Sequence, residues 1–171
     1  MNEEGLFQHH VLAAGKLSYA KGTRPNVPCI LCAVREEHPD VQSFKIYEEE
    51  LCFICLNLYP YNPGHLMVIP TRHVLRLEDL TDKERNRIFE VVGICQKLLQ
   101  ACFNPTGFNV GYNQGQFSGA SVDHLHVHVV PRYKSELGYI DLIGQTRVVV
   151  QPVSEVFALL KARIGEFFGI K

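Results

Sequence analysis

The run His124-Leu-His-Val-His-Val-Val-Pro sets three imidazoles at alternate positions. A β-strand repeats every two residues, so His124, His126 and His128 are expected on one face, with Leu125, Val127 and Val129 turned into a core. Successive rings then sit about 7 Å apart. That spacing lets one ring reach a phosphorus while its neighbour holds the oxygens around it, and a neutral imidazole is a competent nucleophile near pH 7. Two other readings compete: a chance cluster on an exposed face, and a metal site, because histidines two apart on a strand can share one Zn²⁺. The preceding loop favours phosphate. Asn113-Gln-Gly-Gln-Phe-Ser-Gly-Ala-Ser offers glycines that let backbone amides face a ligand, with Asn113 and Ser121 as neutral donors to an anion.

The pairs Cys29-Ile-Leu-Cys32 and Cys52-Phe-Ile-Cys55, separated by nineteen residues, fit a four-cysteine zinc pattern on spacing alone. Cys52 and Cys55 lie inside a β-rich run, however, and residues three apart on a strand face opposite sides. That pair reads better as buried apolar filling. Cys95 and Cys102 read as helix core, and His9, His10 and His38 as solvated surface.

Positioning the histidine row needs a sheet. Residues 44–47 and 51–58 are β-rich runs parted by an acidic turn, and residues 66–69 after Pro63-Gly64 make a third antiparallel strand. Leu80-Thr-Asp-Lys-Glu is a helix start, with Thr81 as cap and Glu84 three residues later. Ile88, Val91, Val92, Cys95, Leu98, Leu99 and Cys102 then recur at steps of three and four, one buried stripe. Asn104-Pro-Thr-Gly ends that helix, and residues 108–112 and 124–131 are strands. Residues 148–150 add a short β run, and Phe157, Leu160, Ile164 and Phe167 give a terminal helix its apolar face. The expectation is an α+β domain with helices packed on one side of an antiparallel sheet.

Composition bounds what such a domain does. The 171 residues are 46% hydrophobic and 20% charged, enough for one domain with its own core. A formal charge of −1 offers no broad cationic surface to nucleic acid or anionic lipid, so recognition of phosphate has to be local. Apolar runs fall short of the roughly 20 residues of a membrane span. The start of the chain lacks the basic-then-apolar pattern of a secretory signal, so a cytoplasmic setting with reduced thiols is expected. Residues 1–27, with the turn-rich Lys21-Gly-Thr-Arg-Pro, read as an N-terminal arm, and 28–171 as the catalytic domain.

His124-Leu-His-Val-His-Val-Val matches the histidine triad pattern, and over roughly residues 28–132 the sequence resembles that superfamily of nucleotide hydrolases and transferases. Asn57-Leu-Tyr-Pro-Tyr-Asn-Pro-Gly-His-Leu-Met-Val-Ile-Pro, the Asn113-Gln-Gly loop and Ile143-Gly are most similar to its fragile-histidine-triad and diadenosine tetraphosphate phosphorylase branch. The resemblance implies a HIT-like single domain, an antiparallel sheet with one long helix and a C-terminal helix packed on it. It implies that His126 attacks the α-phosphorus and becomes a transient nucleotidyl-histidine, released by water or, in a phosphorylase, by inorganic phosphate. His128 and His65 would line the α-phosphate, Ser121 and Asn113 would donate to its oxygens, and Asn57 would hold the ribose. Ile30, Leu31, Val34, Leu58 and Met67 match positions that sandwich the purine. Ala120 and Leu31 stand where many relatives carry Gln and Phe, which bears on substrate preference.

Zinc-bearing members of that superfamily use a set like Cys29, Cys32, His73 and His124, a closed tetrahedral site that is structural because no position is left for water. The chemistry itself would need no cofactor. The expected activity is cleavage at the α-phosphate of diadenosine polyphosphates or related AMP conjugates. The alternatives are a phosphate-dependent diadenosine tetraphosphate phosphorylase, a non-catalytic purine nucleotide-binding regulator, and a metal-dependent hydrolase using the triad as ligands. By the same resemblance a homodimer is expected, through the long helix and an edge strand. Tyr133, Tyr139 and Phe167 are candidates to touch the substrate's second half or a neighbouring subunit.

Overall fold

The computed structural model describes residues 25–115, 117–134 and 151–169. Along them run α1 (Ile30–Arg35), β1 (Lys45–Glu48), β2 (Cys52–Leu56), β3 (Leu66–Pro70), a 3-10 turn (Leu77–Asp79), α2 (Asp82–Phe103), β4 (Gly107–Gly111), β5 (Val127–Arg132) and α3 (Val153–Phe168). The strands form one sheet in the order β1-β2-β3-β5-β4, every pair antiparallel. Every residue of β2 and β3 is buried, so these central strands read as unbroken apolar runs because both of their faces are covered.

The two faces carry different cores. On one, Ile46, Ile54, Val68, Leu125, Val127 and Val129 pack under the apolar stripes of α2 and α3. On the other, Phe53, Cys55, Met67 and Ile69 pack under Leu31, Ala33 and Val34 of α1. Cys52 belongs to the first core and Cys55 to the second, so alternation along β2 keeps the two thiols apart and a four-cysteine site does not form. Both sheet faces therefore carry helix, a correction to the expectation of helices on one side only. Val27, counted with the arm, packs against the α1 core.

The long helix α2 starts where its cap requires. The Thr81 side chain accepts from the Glu84 N–H, and the Glu84 side chain accepts from the Thr81 N–H, a reciprocal capping box. Arg72 also pairs with Glu84 at 2.9 Å, which ties the chain after β3 to the start of α2. Asn104 closes the helix in the left-handed region, φ 48°. Gly64 (φ +83°) makes the turn into β3 against α2, where a Cβ would stand 2.9 Å from Leu99 Cδ2 and 3.3 Å from the Phe103 ring. Glycine is required there on both counts.

The expected strand over residues 124–131 is shorter at its start. The ladder begins at Val127 because the preceding residues are bonded elsewhere, the Leu125 N–H to the Val74 carbonyl at 2.7 Å. Side-chain alternation survives, with Leu125, Val127 and Val129 all in the core. The arm up to residue 24 with His9 and His10, Tyr139, Ile143 and the β run at 148–150 lie outside the described residues. Among the described residues no helix is long and apolar enough to cross a membrane.

Candidate active site

The three histidines of the row do three different things, and backbone carbonyls and neighbouring rings decide which. His126 Nδ1 lies 2.7 Å from the His124 carbonyl oxygen. A carbonyl only accepts, so Nδ1 carries the proton and Nε2 keeps its lone pair. Burial lowers the His126 pKa from the ordinary imidazole value, partly opposed by that hydrogen bond. The ring is thus neutral at pH 7 and presents one basic nitrogen.

His128 is set by a relay from the β2–β3 loop. The Tyr61 N–H donates to His65 Nδ1 at 3.1 Å, which places the His65 proton on Nε2. Nε2 stands 3.0 Å from His128 Nδ1 and donates to it, so His128 carries its own proton on Nε2. Burial, helped by the neighbouring imidazoles, pushes His65 down to about 3. Burial and then His126 push His128 down to about 4. The His126 and His128 rings meet edge to face at 4.7 Å. A lone pair and an N–H donor are thereby offered side by side.

A cavity of about 340 Å³ opens in front of this pair, near the lower end of the usual range for small-molecule sites. Asn57, Asn113 and Ser121 line it, and so do Ile30, Leu31, Val34, Leu58 and Met67 together with His126 and His128. Asn57 Oδ1 accepts from the Tyr59 N–H at 2.9 Å, a local turn that fixes the side chain at the end of β2. Asp40 is the one formally charged side chain among the described lining residues. An anion held there by those residues relies on neutral donors. His65 does not line this cavity. It is fully buried and stands behind His128, its Nε2 3.0 Å from His128 Nδ1, so of these two histidines it is His128 that faces the cavity. Tyr61, Asp40 and Gln42 also line the cavity without having been singled out from the sequence. Tyr61 lay inside the quoted motif, which was the available signal.

His124 turns the other way. Its Nε2 donates to the Pro70 carbonyl at 3.1 Å, leaving the Nδ1 lone pair facing Cys29 and Cys32 Sγ, each at 3.5 Å. His73 Nδ1 is 3.4 Å from Cys32 Sγ. The four ligand atoms of Cys29, Cys32, His73 and His124 lie within 4.8 Å of one another. A tetrahedral zinc with arms of about 2.3 Å to sulfur and 2.0–2.1 Å to nitrogen sets S and N about 3.5 Å apart. The residues fit such an ion, with the Pro70 carbonyl fixing the ligand tautomer of His124. Of the histidine row only His124 joins this group, so the row itself does not converge on a metal.

Residues 38–135 match the HIT domain. The AP-4-A phosphorylase of Mycobacterium tuberculosis is 42% identical over 122 residues, 71% of this chain and 63% of that protein. The asymmetrical bis(5'-nucleosyl)-tetraphosphatase of Schizosaccharomyces pombe is 38% identical over 103 residues, 60% of this chain and 57% of that one. The matched stretch thus spans less than two thirds of the length of these relatives. A crystal structure of a Zn-bound histidine triad family protein from Mycobacterium smegmatis superposes with a TM-score of 0.68 at 25% identity, covering 84% of this chain and 98% of that one. The family match runs over more than half of the chain and takes in the whole five-stranded sheet, α2 and the histidine row, so the chain belongs to the HIT domain family.

Proposed function

We propose that this chain cleaves dinucleoside polyphosphates beside an adenosine monophosphate unit and hands that unit to inorganic phosphate. The observation that carries the reading is the 2.7 Å bond from His126 Nδ1 to the His124 carbonyl, which aims a neutral Nε2 lone pair at a nucleotide-sized cavity. In the first step Nε2 attacks the α-phosphorus, the bond to the bridging oxygen breaks, and diadenosine tetraphosphate releases ATP. The imidazolium character that develops is stabilised by the carbonyl on Nδ1–H, while His128 Nε2–H donates to phosphate oxygen. In the second step an oxygen of inorganic phosphate attacks the same phosphorus, the N–P bond breaks, and ADP leaves with His126 neutral again. Water in place of phosphate would give AMP. The AP-4-A phosphorylase name of the 42% identical relative supports phosphate as the acceptor over the hydrolytic reading.

Cys29, Cys32, His73 and His124 would hold a structural zinc, which joins chain segments and leaves no open position for chemistry. The edge strand β4 and the 67% exposed Phe89 on α2 suit the two-fold pairing expected from the resemblance. Incubation with diadenosine tetraphosphate, with and without inorganic phosphate, tests the function. ADP and ATP should appear in equal amounts only when phosphate is present. AMP formed without phosphate would make the chain a hydrolase, and no product in either case would end the reading.

The pH profile is a second expected result. With His128 held at about 4 and His65 at about 3, both stay neutral well below the ordinary 6.5. The relay should survive down to about pH 5, and because attack needs a neutral His126, whose pKa burial lowers from the ordinary imidazole value, the acid limb of kcat/KM should lie below 6.5. The linkage has the opposite edge: the unfolded chain takes up protons at about 6.5 and the folded chain does not. Stability is therefore fully present above pH 6.5 and drains away as the pH falls from there toward 4. Activity and circular dichroism recorded over the same range separate the two effects. An acid limb centred near 6.5 in a still-folded protein would contradict the buried relay.

A further inference from the structure

We infer that Tyr61 is the stacking platform for the second nucleoside, the half of the substrate that departs with the polyphosphate. The inference rests on the cleavage reading above. A cavity of about 340 Å³ takes one nucleotide, not two nucleosides joined by four phosphates, so the second nucleoside must lie at its mouth. The apolar part of the cavity lies under α1, where Leu31, Val34 and Met67 pack together. From His126 the rings run on in order: His128 at 4.7 Å, then Tyr61 at 6.3 Å from His128. The polyphosphate that leaves past His128 therefore meets Tyr61.

That ring is already prepared to receive a base. It stacks on the buried His65 at 4.9 Å and 22°, yet Tyr61 remains 50% exposed. Its loop is anchored by Asn62, which is buried and donates to the Pro131 carbonyl at 2.7 Å. A side chain with two torsions, pinned on one side and wet on the other, takes up a planar base with little further ordering. Stacking of this kind tolerates any base. The platform thus selects for the presence of a second nucleoside and not for its identity.

The test compares diadenosine tetraphosphate with adenosine 5′-tetraphosphate, which offers the same α-phosphate bond and lacks the second nucleoside. Unmodified protein should prefer the dinucleotide in kcat/KM. Tyr61→Ala and Tyr61→Leu should each cut that preference about tenfold, the scale of one base–aromatic stack, and Tyr61→Phe should keep it. Damage to His65 or to folding slows both substrates alike and cancels in the ratio. If the Ala and Leu variants slow both substrates by the same factor, the ring only shields His65 and the platform is refuted. The same holds if unmodified protein shows no preference. Cleavage of neither substrate by unmodified protein would remove the cleavage reading first and the platform with it.

Discussion

His126→Ala is expected to lower turnover of diadenosine tetraphosphate by about 10⁴-fold or more, the scale seen when an activated nucleophile is deleted, while affinity for AMP stays within a few-fold. No neighbouring imidazole can take its place. His128 accepts a hydrogen bond at Nδ1 from His65 and so turns a proton, not a lone pair, toward the cavity. The lone pair of His65 is used by the Tyr61 N–H, and that of His124 faces the two thiols. Binding should persist because Asn57 and the apolar lining are untouched by the substitution. His126→Gln, which keeps a donor near the His124 carbonyl, should be equally inactive and guards against a trivial loss of fold. Product quantification paired with calorimetric titration of AMP reads both halves. An alanine variant within tenfold of the parent rate would place the covalent step on another atom.

Much of this architecture was legible because local and tertiary signals agreed. The Thr81–Glu84 box and the stripe from Ile88 to Leu99 describe one amphipathic helix whichever way they are read, and the structure buries that stripe. The opposite faces of Cys52 and Cys55 followed from strand geometry alone. The short helix α1 was not legible. It has six residues, and its N-cap Cys29 supplies no side-chain hydrogen bond, so it exists through the burial of Leu31, Ala33 and Val34 and not through propensity. The start of β5 was misplaced for a related reason. Alternating residues look like strand from His124 onward, but the Leu125 N–H is bonded to the Val74 carbonyl and the His124 carbonyl to the His126 ring, which takes these backbone groups out of the ladder and which spacing cannot reveal. Residue types for the cavity lining came through resemblance. The order in depth did not, because nothing in the motif says that His65 stands behind His128 and Tyr61 beyond it.

Removing metal should be felt first in stability. Cys29 and Cys32 sit at the start of α1, His73 follows β3, and His124 precedes β5, segments 41 and 92 residues from Cys32 in the chain. One tetrahedral ion would join all three, and α1 has no side-chain cap to hold its first turn otherwise. Structural zinc on thiolate and imidazole ligands binds with about 10–16 kcal/mol in small peptides that fold around it. Here apolar packing holds part of the same region, so about 5 kcal/mol is a reasonable share to appear as stability. At about 2–4 °C per kcal/mol for a chain of this size, exhaustive chelation or Cys29→Ser with Cys32→Ser should lower the Tm by about 10–20 °C. Elemental analysis should give one zinc per chain before treatment and none after. His124 also gives the loss a local consequence, since its ring faces the thiols while its carbonyl holds His126 Nδ1–H at 2.7 Å. Once the ring is no longer anchored, ¹⁵N resonances of His126 should shift from a single Nδ1–H tautomer toward an averaged one. Purified protein without metal, with a Tm unmoved by chelator or by the double serine variant, would leave the four residues as an ordinary thiol–imidazole cluster.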